Sequence, residues 1–273
     1  MIFDPSAQSG AGDPRQFILQ LIAADWEQPD GPLQLRADLT LAELEGAAHF
    51  HNARTILRAL VEEDGAAATA TGCFNRAFAT RLFGEMRMSQ MIRESTQRYC
   101  KVINEADVRD LTILRTVCEF GALVAKRRKR FRATRRARDL LSDARAGELY
   151  RHLFLIFFRK LDLRCVFHFR DVPTIQQTLA VILWRLDAVA RDWTPMRKLA
   201  GRTLLLPVLE ELRATKYPHD TDAWILAGYV INPLHDFGLI ERRGKSDWPG
   251  IEEKHEIRLS PLWRRFIRFS DEA

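Results

Sequence analysis

Nine of the thirteen residues from Lys126 to Arg138 are lysine or arginine, and none is acidic. The set is Lys126, Arg127, Arg128, Lys129, Arg130, Arg132, Arg135, Arg136 and Arg138. Cations at this density can neutralise a row of phosphates. Each contact releases condensed counterions, so log K falls with log salt by about 0.9 per contact, and about four to six contacts suffice for micromolar-class nonspecific binding. Arg109 and Arg115, just upstream, are the side chains that would have to reach base edges for sequence choice. The competing reading is a solvated hairpin edge whose charge discourages aggregation. One or two lysines do that job, and this block holds far more. An anionic membrane surface would attract the same patch, but no amphipathic anchor accompanies it.

The other residues that invite chemistry have simpler readings. Cys165 and His168 lie three apart, yet no second pair completes the four ligands of a structural zinc. His49 and His51 flank Phe50 within a helical stretch, where a spacing of two makes side chains diverge. His235 precedes Gly238 at a helix C-terminus, where the dipole favours a cationic imidazole. Asp107 and Asp110 sit in the first turns of a helix, where carboxylates are favoured for the opposite reason. The chain contains no phosphate-binding glycine loop, no dinucleotide fingerprint, no H-E-x-x-H and no G-x-S-x-G. No enzyme, cofactor or metal is expected.

The positive charge is local. The chain has 273 residues and a net charge of +6. Residues 101–142 hold 12 basic and five acidic residues, so the rest of the chain is close to neutral. One basic stripe on a neutral body is the pattern of an electrostatic footprint. Apolar residues at 47% and charged residues at 29% are those of an ordinary globular protein. The four cysteines form no C-x-x-C pair and demand no disulfides, so a reducing cytoplasm is the expected location. The acidic, polar start is not a secretory signal. The most apolar run, Leu149–Phe158, contains Arg151 and His152 and is too short to span a bilayer, which predicts a buried helix and no membrane partner.

These residues must be positioned by mostly helical elements. Periodicity predicts helices over about Pro14–Trp26, Phe74–Met86, Glu105–Phe120, Arg145–Lys160, Pro173–Asp192 and Pro195–Thr215. Asn52 is placed to cap another helix ending at Gly65, and Thr40 with Glu43 forms a capping box. Pro207 predicts a kink or break. After Gly121, read as a left-handed helix stop, the period changes to alternation. Leu123–Arg128 and Phe131–Ala133 then read as two strands around a tight polar turn, and Thr134 as the cap of a helix through Leu141. Phe131 is expected to pack beneath the hairpin, because a hairpin this polar needs an apolar anchor.

The C-terminal segment repeats this grammar. A helix from Asp222 to Phe237, with a kink at Asn232–Pro233, stops at Gly238. Strands follow at Leu239–Arg243 and His255–Leu259 around a polar loop, Gly244–Glu253, and Ser260 caps a last helix. Phe120-Gly121-Ala122-Leu123-Val124 answers to Phe237-Gly238-Leu239-Ile240 with a one-residue slip, and Arg132-Ala133-Thr134 answers to Arg258-Leu259-Ser260.

Helix, glycine, two strands and a hydroxyl-capped helix resemble the winged-helix (winged helix-turn-helix) family over about 40 residues in each copy. The whole chain is also similar to uncharacterised bacterial proteins of this layout, which implies a fold and no activity. The resemblance implies a first wing at Leu123–Ala133, carrying Lys126, Arg127, Arg128, Lys129, Arg130 and Arg132. It also implies a preceding recognition helix offering Arg109, Thr112, Arg115 and Thr116. Neither copy shows a clear helix–turn–helix before that helix. The second wing loop contains Lys245 but also Asp247, Glu252 and Glu253, so the second unit is expected to meet protein or mediate dimerisation. The expected chain is mainly α with small β-hairpins, two winged-helix-like units joined by a helical middle: residues 1–100 as a helical N-terminal region, 101–144 as the basic unit, 145–215 as the middle and 216–273 as the second unit. The expected function is nucleic-acid binding, duplex DNA first, through Lys126–Arg132, Arg135 and Arg136, with Arg109 and Arg115. The alternative is a protein-docking scaffold.

Overall fold

The computed structural model describes residues 13–163, 172–214, 221–244 and 254–270. It is mainly helical with small antiparallel sheets of two or three strands. Asp13 caps helix α1 (Pro14–Ala23), and strand β1 (Leu33–Leu35) follows. The Thr40–Glu43 capping box forms, with Thr40 N–H donating to the Glu43 carboxylate at 2.8 Å, but it closes turns rather than a regular helix.

The first repeat opens with α2 (Ala48–Glu62), β2 (Ala66–Ala67), α3 (Arg76–Glu85) and α4 (Gln90–Tyr99). Asn52, expected as a cap, lies inside α2. It is buried there and exchanges hydrogen bonds with the Arg87 backbone at 2.8 and 2.7 Å. Gly65, at φ 98°, ends the connection to β2, and a Cβ there would meet the Phe131 carbonyl at 2.4 Å. Val108, in extended conformation, splits the helix expected over Glu105–Phe120 into a short 3-10 turn and α5 (Arg109–Phe120).

Strands β3 (Val124–Arg127) and β4 (Arg130–Ala133) form the hairpin, and α6 (Arg135–Leu140) follows with Thr134 as its cap. The hairpin is not alone. Ala66–Ala67, from a stretch of small and partly β-prone residues in the mainly helical N-terminal region, pairs with β4 to give the order β2-β4-β3. This third strand supplies the support that an isolated hairpin lacks in water.

Helix α7 (Ala146–Leu155) runs into a π turn, Ile156–Lys160. Cys165 and His168, weighed above as a ligand pair, lie outside the described residues. Beyond them come α8 (Pro173–Gln177), α9 (Leu179–Val189), β5 (Thr194–Pro195), α10 (Met196–Thr203) and α11 (Leu206–Ala214). Thr194–Pro195, expected as a helix start, is a strand paired with Ile257 and Glu256. The break near Pro207 falls just before it, which puts the proline in the first turn of α11 where its missing N–H costs nothing.

The second repeat continues with α12 (Asp222–Leu226), a π turn at Ala227–Ile231 and α13 (Asn232–Asp236). Pro233 cannot donate back along the helix and would clash with the preceding turn. The wider π turn ahead of it accommodates the proline without ending the helical run. Then come β6 (Ile240–Arg243), β7 (Glu256–Leu259), α14 (Pro261–Phe266) and β8 (Ile267–Phe269). The sheet order β5-β7-β6 matches that of the first repeat.

Hydrogen bonds fix the correspondence of the repeats. Leu123 N–H donates to Cys118 and Leu239 N–H to Leu234; Thr134 N–H donates to Leu123 and Ser260 N–H to Leu239. The Thr134 hydroxyl donates to the Ala122 carbonyl at 2.9 Å, and the Ser260 hydroxyl to the Gly238 carbonyl at 2.7 Å. Ala122 therefore corresponds to Gly238, which resolves the one-residue slip. Gly121, expected as the left-handed stop, has φ −76°, and Ala122 at φ 54° takes the left-handed conformation instead. Gly121 answers a packing need. A Cβ there would lie 2.9 Å from His152 Nε2 and 3.2 Å from Ile156.

A single apolar cluster joins both repeats. At its centre Tyr150 and Phe154 of α7 pack edge-on against Phe237 and Phe266, and the Tyr150 hydroxyl donates to the Phe237 carbonyl at 2.8 Å. Strand β1 pairs with β8, tying the start of the described chain to its end.

Candidate nucleic-acid interface

The basic segment is laid out on the β3–β4 hairpin and α6. Strands β3 and β4 pair from Val124↔Ala133 to Arg127↔Arg130, leaving Arg128 and Lys129 as a two-residue turn. Both have positive φ, 49° and 57°, the geometry of a type I′ turn. Three contacts hold the tip: Ala68 N–H donates to the Lys129 carbonyl at 2.8 Å, Arg130 donates to the Gly65 carbonyl at 2.8 Å, and Arg132 meets Asp64 at 3.2 Å.

Phe131 is fully buried beneath the hairpin, its ring 4.7 Å from that of Phe74. It packs, as expected of an apolar anchor, and does not offer its ring for stacking on a base. Arg115 and Lys126 place their cations over its ring, at 5.4 and 5.6 Å from the centroid.

Lys126, Arg127, Arg128, Lys129, Arg130, Arg132, Arg135, Arg136 and Arg138 are all exposed. The structure therefore brings together every one of these sequence-expected residues on one hairpin and the helix that follows it. Among the described residues the only carboxylate in an ion pair with any of them is Asp64, at the solvent-exposed Arg132. Of the neighbouring acids, Glu119 is engaged by Arg115 and Asp143 by Arg54 and Arg58, while Asp139, just after Arg138 on α6, is exposed.

Arg115 does not belong to this surface. Its spacing predicts the outward side of α5, but its side chain is 12% exposed and bound to Glu105, which is fully buried, at 2.7 Å, as well as to Glu119. Burial works against the guanidinium charge, yet the hydrogen bond and charge of Glu105, with Glu119, hold its pKa above the ordinary value. Glu105 also accepts the Phe74 N–H at 2.5 Å, so the pair is part of the frame on which the sheet sits. Arg109 is exposed, at the end of α5 remote from the base of the hairpin.

Thr112 and Thr116 are also turned to the backbone, donating to the carbonyls of Glu105 and Thr112. Of the twelve residues of α5 only Arg109 and Phe120 are exposed. The helix packs against α2, α3, β3 and the π turn Ile156–Lys160. Burial pushes the Asp110 carboxyl upward against the pull of His49, and the nearby Asp236 of the second repeat adds to the rise. The corresponding helical run of that repeat, Asp222–Asp236, is covered in the same way, with Trp224 its one exposed residue. The polar side of α5 is half-buried and its Arg115, Thr112 and Thr116 are committed within the chain, which leaves little of it free to meet a groove.

Sequence reasoning missed a cleft beside α6 lined by Arg136, Arg151, His152 and Lys160 together with Glu27, Arg145 and Glu148. The charges within and just after the apolar run, at Arg151, His152 and Lys160, are its only local trace. Their meeting with residue 27 is a tertiary event. Much of the second wing loop, including Lys245, Asp247, Glu252 and Glu253, lies outside the described residues.

Among the described residues no group of three or more metal-binding side chains converges, and no helix is long and apolar enough to cross a membrane. No curated protein and no solved structure matches the chain. Residues 46–146 match the family model described as the Y4jL N-terminal domain, a span that opens just before α2 and closes at the start of α7, so that it encloses the whole first repeat and its basic hairpin.

Proposed function

We propose that this protein binds nucleic acid, duplex DNA first, by laying the β3–β4 hairpin and α6 along the phosphate backbone. The observation that carries this reading is the row of nine exposed cations from Lys126 to Arg138 with one surface carboxylate as ion-pair partner. A tip fixed at Gly65 and Ala68 presents those charges without first having to order a loop. The repeated order of helix, short strand, helices and hairpin supports the winged-helix resemblance. The covered state of α5 turns the expected contact from a helix in the groove into a wing and helix on phosphates. Binding of this kind is electrostatic and reads little sequence.

The test is a salt series on a labelled duplex, with wild type and with Arg127, Arg128, Lys129 and Arg135 changed together to Ala. None of the four makes an ion pair among the described residues, so the fold should survive, as a circular-dichroism melt will verify. The slope of log K against log salt should fall by about 0.9 for each phosphate that is no longer neutralised. Equal binding by both proteins, or no binding by wild type at low salt, removes the reading.

A second reading, a protein-docking scaffold, is favoured by α4. That helix has no buried residue and exposes Met91 and Tyr99, with Val102 just beyond it. Absence of DNA binding would shift the weight to it.

A further inference from the structure

The cleft beside α6 has a volume of about 240 Å³ and opens next to Arg136, at the end of the basic row. Four of its lining residues are cationic and two are carboxylates. The two carboxylates are not equivalent. Glu148 is occupied by Arg145 of the short turn before α7, at 2.6 Å, while Glu27 reaches across to Lys160 at 2.9 Å.

The other two cations have no carboxylate partner among the described residues. Arg151 donates to the carbonyls of Leu35, Trp26 and Glu27 at 2.9, 3.3 and 3.0 Å, which fixes the guanidinium and leaves its charge uncompensated. Arg136 lies 3.1 Å from His152 Nδ1. The tautomer follows from the partner of the other ring nitrogen. His152 Nε2 lies 2.8 Å from the Gly121 carbonyl, which can only accept, so Nε2 carries the proton and Nδ1 accepts from Arg136. Burial of the imidazole favours this neutral form. The histidine thus ties Arg136 to the base of the hairpin. Both guanidiniums are held in place before any ligand arrives, the arrangement that makes anion binding cheap in entropy.

We infer that this cleft is a phosphate subsite, in which Arg136, Arg151 and Lys160 take a phosphodiester of the same nucleic acid that lies on the hairpin, with Glu27 as the carboxylate that the phosphate displaces from Lys160. The inference rests on the proposed nucleic-acid reading and extends its footprint from α6 to α7. An anion entering the cleft replaces Glu27 as the partner of Lys160, so the acidic side chain opposes binding even though it lines the site.

That opposition gives a test that a purely structural role cannot imitate. With a labelled duplex and a salt series, Glu27→Gln should tighten binding several-fold at low salt. Arg136→Gln should weaken it and lower the slope by about 0.9, the value of one phosphate. Lys160→Ala should weaken it in the wild-type background and abolish the gain from Glu27→Gln. Melts of each variant check the fold. Should Arg136→Gln prove unstable, the Glu27→Gln gain and its disappearance on adding Lys160→Ala still decide the matter. If Glu27→Gln and Lys160→Ala leave affinity and slope unchanged while the four-residue hairpin variant loses binding, the subsite is refuted and the hairpin reading stands. If the hairpin variant also binds like wild type, both fall.

Discussion

Arg128 and Lys129 hold the left-handed conformation that a type I′ turn imposes, a place where Asn-Gly is the favoured pair. For side chains with a Cβ that conformation costs about 1–2 kcal/mol per residue. The hairpin would be more stable with the ordinary turn residues, so the two cations sit at the tip at a cost in stability. Arg128→Asn with Lys129→Gly should raise stability by about 1–3 kcal/mol in a thermal or denaturant melt. The same double variant should lower the salt slope of DNA binding. An unchanged melt would show that the turn is not strained. Arg115 is the opposite case at the same scale. It lies beneath the basic hairpin against Phe131, where the buried carboxylate of Glu105, ten residues away, and that of Glu119 hold it inward.

At the level of elements, the two repeats use one joint between the hairpin and the helix before it: a left-handed residue whose carbonyl accepts a Thr or Ser hydroxyl. The second repeat places Gly238 there and the first places Ala122. Ala122→Gly should therefore stabilise the protein by about 1 kcal/mol by relieving the steric cost. Gly238→Ala should destabilise it by more than that, because a Cβ would also meet the Ala47 backbone at 3.1 Å. Chemical denaturation of both variants checks the pair, and equal effects would break the equivalence of the two joints. The two-residue strand β5 had no legible signal, and β2 showed only in the partly β-prone character of Ala66–Thr71. A strand of Ala66–Ala67 carries no period, and it exists because β4 presents an unpaired edge beside it.

For the whole molecule, the decisive feature is what covers α5 and the run Asp222–Asp236. The winged-helix resemblance would make each of them the groove-entering helix of its repeat, but in this chain the polar side of α5 is half-buried with its arginine and threonines committed to neighbours, and most of the run Asp222–Asp236 is buried. Without base contacts from a helix, affinity should depend on salt and hardly on sequence. Duplexes of equal length and scrambled sequence are expected to bind within a few-fold of one another. Discrimination of about a hundredfold or more between them would correspond to about 3 kcal/mol of direct readout and would contradict the poor accessibility of these helices.

The order of residues is enough to dictate the helical class, the two hairpins, their hydroxyl-capped helices and the concentration of charge at Lys126–Arg138. Those features are local: periodicity, capping and composition act over a few residues, and a run with no acids within it cannot be neutralised by its own neighbours. Long-range packing is what turns Arg115 inward, half-buries the polar side of α5, adds a third strand to each hairpin, and gathers Arg136, Arg151, Lys160 and Glu27 around one cleft. Each of these depends on groups far apart in the chain meeting in space, and the free energy that selects such meetings, burial of apolar surface and pairing of buried charge, has no signature in the order of nearby residues.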